Sequence, residues 1–188
     1  MSKKEIRTLC AEVRASPGAE AGNPVFEGYA ARFMTLSENM GGFREQIAPG
    51  AFIEMDDVRA LLNHDPNYVL GRTTAGTLIL KPDEVGLGFY IDGPGTTWAR
   101  DLRVSVNRGD ISQCSFAFET LEDKWEKADD GLEIRTLLKV RLYDISIVTY
   151  PAYEATNVAA RSARREQNNA SIEISRRRLA LKEKEWRK

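Results

Sequence analysis

The sequence contains very few of the side chains from which metal sites and disulfide frameworks are built. Its 188 residues include one histidine, His64, and two cysteines, Cys10 and Cys114, which do not form a C-x-x-C pair. One histidine cannot make a histidine-rich metal site, and two isolated cysteines predict free thiols in a reducing compartment. We therefore expect no bound metal and no disulfide scaffold.

Long apolar runs and glycine-rich phosphate loops are also missing. No stretch approaches the roughly 18 apolar residues of a membrane span, and the opening MSKKEIRTL has no apolar segment of the kind found in signal peptides. Without a phosphate loop or an internal repeat, nothing favours nucleotide chemistry. These absences predict a cytosolic protein with no organic cofactor, no nucleic-acid partner and no membrane partner.

Charge is nearly balanced over the whole chain but not along it. The formal net charge is −1, yet residues 161–188 hold 10 Lys and Arg against 4 Asp and Glu, which leaves 17 against 24 in residues 1–160. An acidic body with a basic end indicates two separate segments. We predict a folded domain over residues 1–156, followed over residues 157–188 by a polar linker and a basic helical tail.

The body shows mostly the patterns of β-strands. Apolar and β-branched runs bounded by glycine, proline and asparagine predict strands over residues 5–14, 25–33, 43–47, 58–63, 77–81, 87–92, 110–118 and 132–153, the first two forming a hairpin. A helix is predicted through WARDLRVSVNR, capped by Thr96 or Thr97 and ended by Gly109, with a short helix after Pro49. The acidic stretch 123–131 predicts a solvated hairpin loop. The predicted class is mainly β with helices.

A serine stands out in the predicted strand 110–118. Period-two alternation puts Cys114, Phe116 and Phe118 on an apolar face and turns Ser115 toward the open face. Taken alone, this pattern is most typical of an ordinary surface serine. If the strand carries a nucleophile, Ser115 is favoured over Cys114, which the same alternation turns toward the core and which has no neighbour to ionise it.

Two other residues could complete a catalytic group with this serine. His64 ends the strand 58–63, just before a proline that directs a turn, and Asp144 lies inside a strongly apolar strand. A buried carboxylate is costly unless it is paired, so Asp144 needs an imidazole, Arg141, Arg135 or backbone amides as a donor. A histidine oriented by an acid is the general base that a serine nucleophile requires. Spacing alone leaves open whether the three residues meet.

Several longer motifs resemble those of the prohead maturation proteases of tailed bacteriophages. The runs are EGYAARF, GGFREQIAPGAF, VRALLNHDPNYVLGRT, WARDLR, RGDISQCSFAF and LYDISIVTYPAY, in this order over about residues 5–160. That family is similar in fold to the herpesvirus assemblins, serine proteases built on a closed β-barrel with surrounding helices. The resemblance implies Ser115 as nucleophile, His64 as base and Asp144 as third member. Assemblins have a second histidine in the third position, which this chain lacks.

The resemblance also implies a function and partners. It implies a serine endopeptidase, inside the phage procapsid in the host cytoplasm, that cleaves scaffold or the scaffold-like segment of the major capsid protein. The same enzyme would cut itself, removing the tail, and would associate with other copies. The alternative is a catalytically silent assembly module that keeps the barrel and binds capsid protein. Catalysis would need donors for an oxyanion, for which backbone amides beside Ser115, Arg72 and Arg100 are candidates.

Overall fold

The computed structural model describes residues 4–8, 12–17 and 23–150. Within these ranges the chain forms eleven strands, one α-helix and one short 3-10 helix, so the mainly β class is confirmed. The elements follow in the order β1 (Glu5–Arg7), β2 (Val13–Pro17), β3 (Pro24–Arg32), β4 (Phe43–Ile47), β5 (Phe52–Glu54), β6 (Arg59–Leu62), β7 (Asp65–Arg72), the 3-10 helix (Thr73–Ala75), β8 (Leu78–Pro82), β9 (Gly86–Asp92), α1 (Thr97–Arg108), β10 (Gln113–Lys127) and β11 (Glu133–Val148).

The two longest strands, β10 and β11, form an antiparallel hairpin at the centre of the first sheet. β1 pairs with the outer edge of β10, while β4, β5 and β6 pair in turn, all parallel, with the other edge of β11. β7 extends the sheet beyond β6. Because β11 pairs with so many strands, it sets the relative positions of residues that are far apart in the sequence.

A β-bulge in β11 decides which of its side chains face the core. The pairing with β10 steps from Leu142 directly to Asp144, which leaves Tyr143 as the extra residue. Leu142 belongs to the core before the bulge, and Ile145 belongs to it afterwards. The bulge therefore shifts the alternation by one residue. Without that shift Asp144 would share the face of Leu142, and with it Asp144 lies on the opposite face.

The second sheet has the order β2-β3-β9-β8, and all its pairs are antiparallel. The predicted hairpin of residues 77–81 and 87–92 is confirmed in β8 and β9. The single strand predicted over residues 5–14 is wrong, because β1 belongs to the first sheet and β2 to the second. Only the β2 part forms the expected hairpin with β3. The apolar pattern could not show that the chain crosses from one sheet to the other within this stretch.

The predicted helix is present as α1, which precedes β10, the strand that carries Ser115. Ala99, Leu102 and Val106 are its buried residues, one helical turn apart as the sequence pattern predicted. Thr96 is the N-cap residue by position, although its side chain makes no capping hydrogen bond. Gly109 ends the helix with a φ angle of 81°, a left-handed conformation that glycine adopts without steric cost. The chain can therefore turn sharply from α1 into β10.

Two local predictions near the central hairpin are wrong. The segment after Pro49 forms β5 and not a short helix, because Ala48 and Ala51 exchange backbone hydrogen bonds with β11 that a helix would leave unmade. The predicted loop 123–131 is mostly strand, since β10 continues to Lys127. Trp125 explains this extension, because its ring packs against Phe43 of β4. Tertiary packing thus overrides the polar character of the segment.

In the described ranges the strands belong to two hydrogen-bonded sheets, of seven and four strands, with one α-helix. A closed barrel with several surrounding helices stays a prediction. The domain boundary after residue 156 and the basic helical tail lie outside the described residues. No helix in the part of the chain described above is long and apolar enough to cross a membrane.

Candidate active site

Ser115 lies near the start of β10, opposite Ser146 of β11. Its relative exposure is 0%, which contradicts the expectation that it faces solvent. The reason is a strand from the other end of the chain: β1 pairs along the edge of β10, with Arg7 opposite Phe116. The Ser115 hydroxyl donates a hydrogen bond of 2.8 Å to the Arg7 carbonyl oxygen. Alternation in β10 identified the face of Ser115, but no local pattern could reveal this cover.

His64 owes its position to a tight turn between β6 and β7. Asn63 and His64 are the two turn residues, because Leu62 pairs directly with Asp65. Their φ angles are 53° and 56°, and a type I′ hairpin turn requires positive values at both positions. The turn therefore precedes the one predicted at the proline, which is instead accommodated near the start of β7. This turn directs the imidazole Nε2 to within 2.9 Å of Ser115 Oγ.

Asp144 lies on the other side of the imidazole and is almost completely buried. Its Oδ1 atom is 2.5 Å from His64 Nδ1, and its Oδ2 atom accepts a hydrogen bond of 2.9 Å from Lys4 Nζ. Burial alone would raise the pKa of Asp144, but the hydrogen bonds from His64 and Lys4 and the positive charge of Lys4 outweigh burial and hold that pKa below its ordinary value. Asp144 is therefore an ionised carboxylate at neutral pH with a donor on each oxygen.

The arginines considered as alternative partners of Asp144 bind other carboxylates. Arg141 forms ion pairs with Glu54 and Glu119. Arg135 is itself buried and binds carboxylates of β1, β4 and β10. Of the donors that the sequence left open, the imidazole is the one that the fold brings to Asp144.

Together these contacts form a continuous chain from Asp144 through His64 to Ser115. With its Nδ1–H directed at the carboxylate, the neutral imidazole presents Nε2 as a proton acceptor toward the hydroxyl. The Ser115 hydroxyl has one proton and two acceptors within reach, His64 Nε2 and the Arg7 carbonyl oxygen. It can donate to only one of them at a time. When that proton points at Nε2, the arrangement can convert the hydroxyl into a nucleophile.

Comparison with known proteins agrees with this chemistry. The family model described as caudovirus prohead serine protease matches residues 10–171, most of the chain. The chain belongs to this family. The prohead protease of Enterobacteria phage HK97 is 29% identical over 145 residues, and the alignment covers 72% of this chain and 59% of that relative. The match thus spans less than two thirds of the relative's length. No solved structure matches the chain.

Two further residues, Ser146 and Lys4, contact the site in this member of the prohead protease family and were not among the residues predicted from the sequence. Ser146 is buried and contacts both His64 and Asp144. The sequence did indicate Ser146, because it follows Asp144 by two residues and side chains two residues apart lie on the same face of a strand. Lys4, which binds Asp144, had no such signal. It precedes β1 by one residue, and only the pairing of β1 with β10 brings it to the site.

The remaining candidates have other surroundings. Cys114 has 0% exposure and belongs to the core, as its strand face predicted, and burial raises the pKa of its thiol to about 12. A thiol that does not ionise near neutral pH is a poor nucleophile. Arg72 binds Asp57 through two hydrogen bonds, and Arg100 is exposed on α1. In the described residues neither arginine is hydrogen-bonded to Ser115, so the source of oxyanion donors stays a prediction.

An open cavity of about 470 Å³ adjoins the histidine and aspartate. Its lining residues include Lys4, Arg59, His64, Pro66, Tyr143 and Asp144. The side chain of His64 retains 13% exposure, so solvent reaches the imidazole from this side even though Ser115 is covered.

Proposed function

We propose that this chain is a serine endopeptidase of phage head maturation. The observation that supports the proposal is the hydrogen-bond chain in which Ser115 Oγ lies 2.9 Å from His64 Nε2 and His64 Nδ1 lies 2.5 Å from Asp144 Oδ1. Membership of the prohead serine protease family supports the same reading. The closed β-barrel of the herpesvirus assemblins is the architecture that we infer for this chain.

The proposed reaction uses each of the three residues in one role. Ser115 Oγ attacks the carbonyl carbon of the scissile peptide while its proton passes to His64 Nε2. His64 then gives that proton to the nitrogen of the leaving amine, and the C–N bond breaks to leave an acyl-serine ester. Water, deprotonated by His64, hydrolyses the ester and returns the hydroxyl to Ser115. Asp144 holds the imidazole in the Nδ1–H tautomer and stabilises the imidazolium that forms in each half-reaction.

We infer that the substrates are proteins of the immature capsid. The HK97 relative is named a prohead protease, which favours the scaffold and the scaffold-like segment of the major capsid protein as substrates inside the procapsid. Self-cleavage between the domain and the basic tail would follow from the high local concentration of enzyme there. The alternative is an assembly module without catalysis, which the cover over Ser115 favours.

Mass analysis of a matched pair of serine variants tests the enzyme against the module. The chain is co-expressed with the major capsid protein of its own phage, as wild type, Ser115→Ala or Ser112→Ala. Ser112 is an exposed serine three residues earlier in the same segment, so its variant controls for the substitution itself. We expect shortened capsid protein and a shortened chain with wild type and Ser112→Ala, and intact masses with Ser115→Ala. Equal cleavage by wild type and Ser115→Ala would eliminate Ser115 as the nucleophile, and intact masses in all three would favour the module.

A further inference from the structure

We propose that Ser146 is a positioning residue that holds His64 in its catalytic orientation. The inference deepens the proposed function and rests on it. Ser146 has 1% exposure and lies directly opposite Ser115 in the β10–β11 pairing. Its side chain therefore points to the same face of the sheet as the nucleophile, beneath the turn that carries the imidazole.

The Ser146 hydroxyl contacts both the backbone and the ring of His64. Ser146 Oγ accepts a hydrogen bond of 3.1 Å from the His64 backbone N–H. It lies 3.2 Å from His64 Nδ1 and donates to Asp144 Oδ1 at 3.3 Å. One hydroxyl has one proton to donate and two lone pairs to accept with, so all these contacts are compatible when Nδ1–H is directed at the carboxylate. Ser146 thus connects the turn, the ring and the acid.

The turn needs such an anchor because its conformation is unusual. His64 has a positive φ angle, which non-glycine residues seldom adopt. The preceding Asn63 is held by the end of β11: its backbone N–H donates to the Ile147 carbonyl, and its side chain exchanges hydrogen bonds with Thr149. Ser146 supplies the matching contact for His64 itself. If the turn were held only at Asn63, the imidazole would be positioned only by its hydrogen bonds with Asp144 and Ser115.

The role of Ser146 differs from that of Asp144. Asp144 is charged, favours the Nδ1–H tautomer and stabilises the imidazolium, whereas Ser146 is neutral and keeps the ring in the orientation in which Nδ1–H meets the carboxylate. Loss of its hydroxyl leaves the partly buried backbone N–H of His64 without its acceptor and leaves Asp144 Oδ1 with one donor fewer. Both changes let the ring rotate away from Ser115. We therefore expect a loss in turnover with little change in substrate binding, since Ser146 is buried beneath the ring.

The test uses three variants at this position in the full chain. Ser146→Ala removes the hydroxyl, Ser146→Cys weakens its hydrogen bonds with less change in volume, and Ser146→Thr retains the hydroxyl. Ser112→Ala is the control. For cleavage of the capsid protein we expect kcat to fall about 10- to 100-fold in Ser146→Ala and Ser146→Cys. Losses of this size are typical when a residue that orients a functional side chain through a hydrogen bond is replaced. KM should stay within about twofold of wild type. Ser146→Thr should recover most of the lost turnover. Thermal unfolding identifies any variant that fails to fold.

A second measurement is independent of cleavage. Because the chain has one histidine, ¹⁵N labelling of histidine yields a single pair of ring resonances. Wild type should show Nδ1 protonated and Nε2 as an acceptor when the ring is neutral, whereas Ser146→Ala and Ser146→Cys should show a mixture of tautomers. Wild-type kcat and an unchanged ring spectrum in a folded Ser146→Ala or Ser146→Cys would overturn the inference. A changed spectrum in a chain whose wild type does not cleave would support the positioning role and contradict the proposed function.

Discussion

The Asp144 carboxylate connects two groups that the sequence separates widely. One of its oxygens accepts from the imidazole of His64, and the other accepts from the ammonium group of Lys4, which lies 140 residues away. Removing a charge from water is costly unless it is paired and hydrogen-bonded. These two donors therefore keep Asp144 ionised, and an ionised Asp144 in turn keeps the imidazole in the tautomer that can accept a proton from Ser115.

At this scale we predict that the three residues behave as one catalytic unit. Ser115→Ala and His64→Ala should each lower turnover by about 10⁴- to 10⁶-fold, because either change removes the covalent route or its base. Asp144→Asn should lose a smaller or similar amount. The double variant of Ser115 and His64 should be no slower than either single variant when single turnovers of capsid protein are measured. Losses that multiply in the double variant would contradict a shared mechanism.

The element that most affects access to the site is β1. It has three residues, yet a buried cluster of charges attaches it to the sheet: Arg7 binds Glu45 of β4, and Arg135 of β11 binds both Glu45 and Glu5. Opposite charges alternate through the cluster, so each buried side chain has at least one partner of the other sign. The backbone of β1 then covers Ser115 through the Arg7 carbonyl. Long-range ionic contacts, together with the pairing of β1 with β10, thus limit the exposure of Ser115.

We predict that Glu45→Gln strongly weakens this attachment. Two buried guanidinium groups lose a carboxylate, and breaking a buried ion pair from one side costs about 3 to 5 kcal/mol of unfolding free energy. The matched control is Glu122→Gln, which removes an ion pair with Lys139 in which both side chains are about half exposed, and which should cost less than about 1 kcal/mol. Urea unfolding measures both, and hydrogen exchange should show faster opening of the β1 amides in Glu45→Gln. Equal losses in the two variants would refute a special role for the cluster.

Because of its buried carboxylates, the free energy of unfolding of the whole molecule depends on pH. Burial raises the pKa of Glu5, but the hydrogen bond and charge of Arg135, with the charge of Arg7, outweigh burial and lower that pKa from 4.5 to about 2. A carboxyl group whose pKa is lower in the folded state stabilises the fold above its unfolded pKa. That contribution disappears as the pH falls from about 4.5 through about 2. Asp144, whose pKa is also lowered, acts in the same direction.

We therefore predict that the folded chain loses stability between pH 5 and pH 2, and that Glu5→Gln loses less. The variant should be less stable than wild type at pH 7, because two arginines lose a charged partner, but the two stabilities should converge near pH 2, where Glu5 itself becomes protonated. Glu84→Gln, at an exposed position, is the control. Urea unfolding at a series of pH values measures the difference. Parallel curves for wild type and Glu5→Gln over this range would contradict the prediction.

Features that depend on neighbouring residues could be predicted well from the sequence. Gly109 marked the end of α1, the run at residues 43–47 marked β4, and the alternation around Ser115 identified the face of its strand. The failures have a common cause. The short helix expected after Pro49 is a strand because β11 offers backbone partners there, and the loop predicted at 123–131 is strand because Trp125 finds an aromatic neighbour. In each failure a distant contact outweighed a local preference.

The sequence by itself determined which groups are present for chemistry: a single histidine, a serine within an apolar strand and an acid within another. Only the tertiary structure decided how they meet. The bulge at Tyr143 turns Asp144 away from the core, the tight turn directs His64 at Ser115, and β1 covers Ser115. The physical reason is that strand pairing between distant segments decides which face of the sheet a side chain occupies, how deeply it is buried and which charged group it meets. A residue such as Lys4 acquires its partner only when those segments pack together.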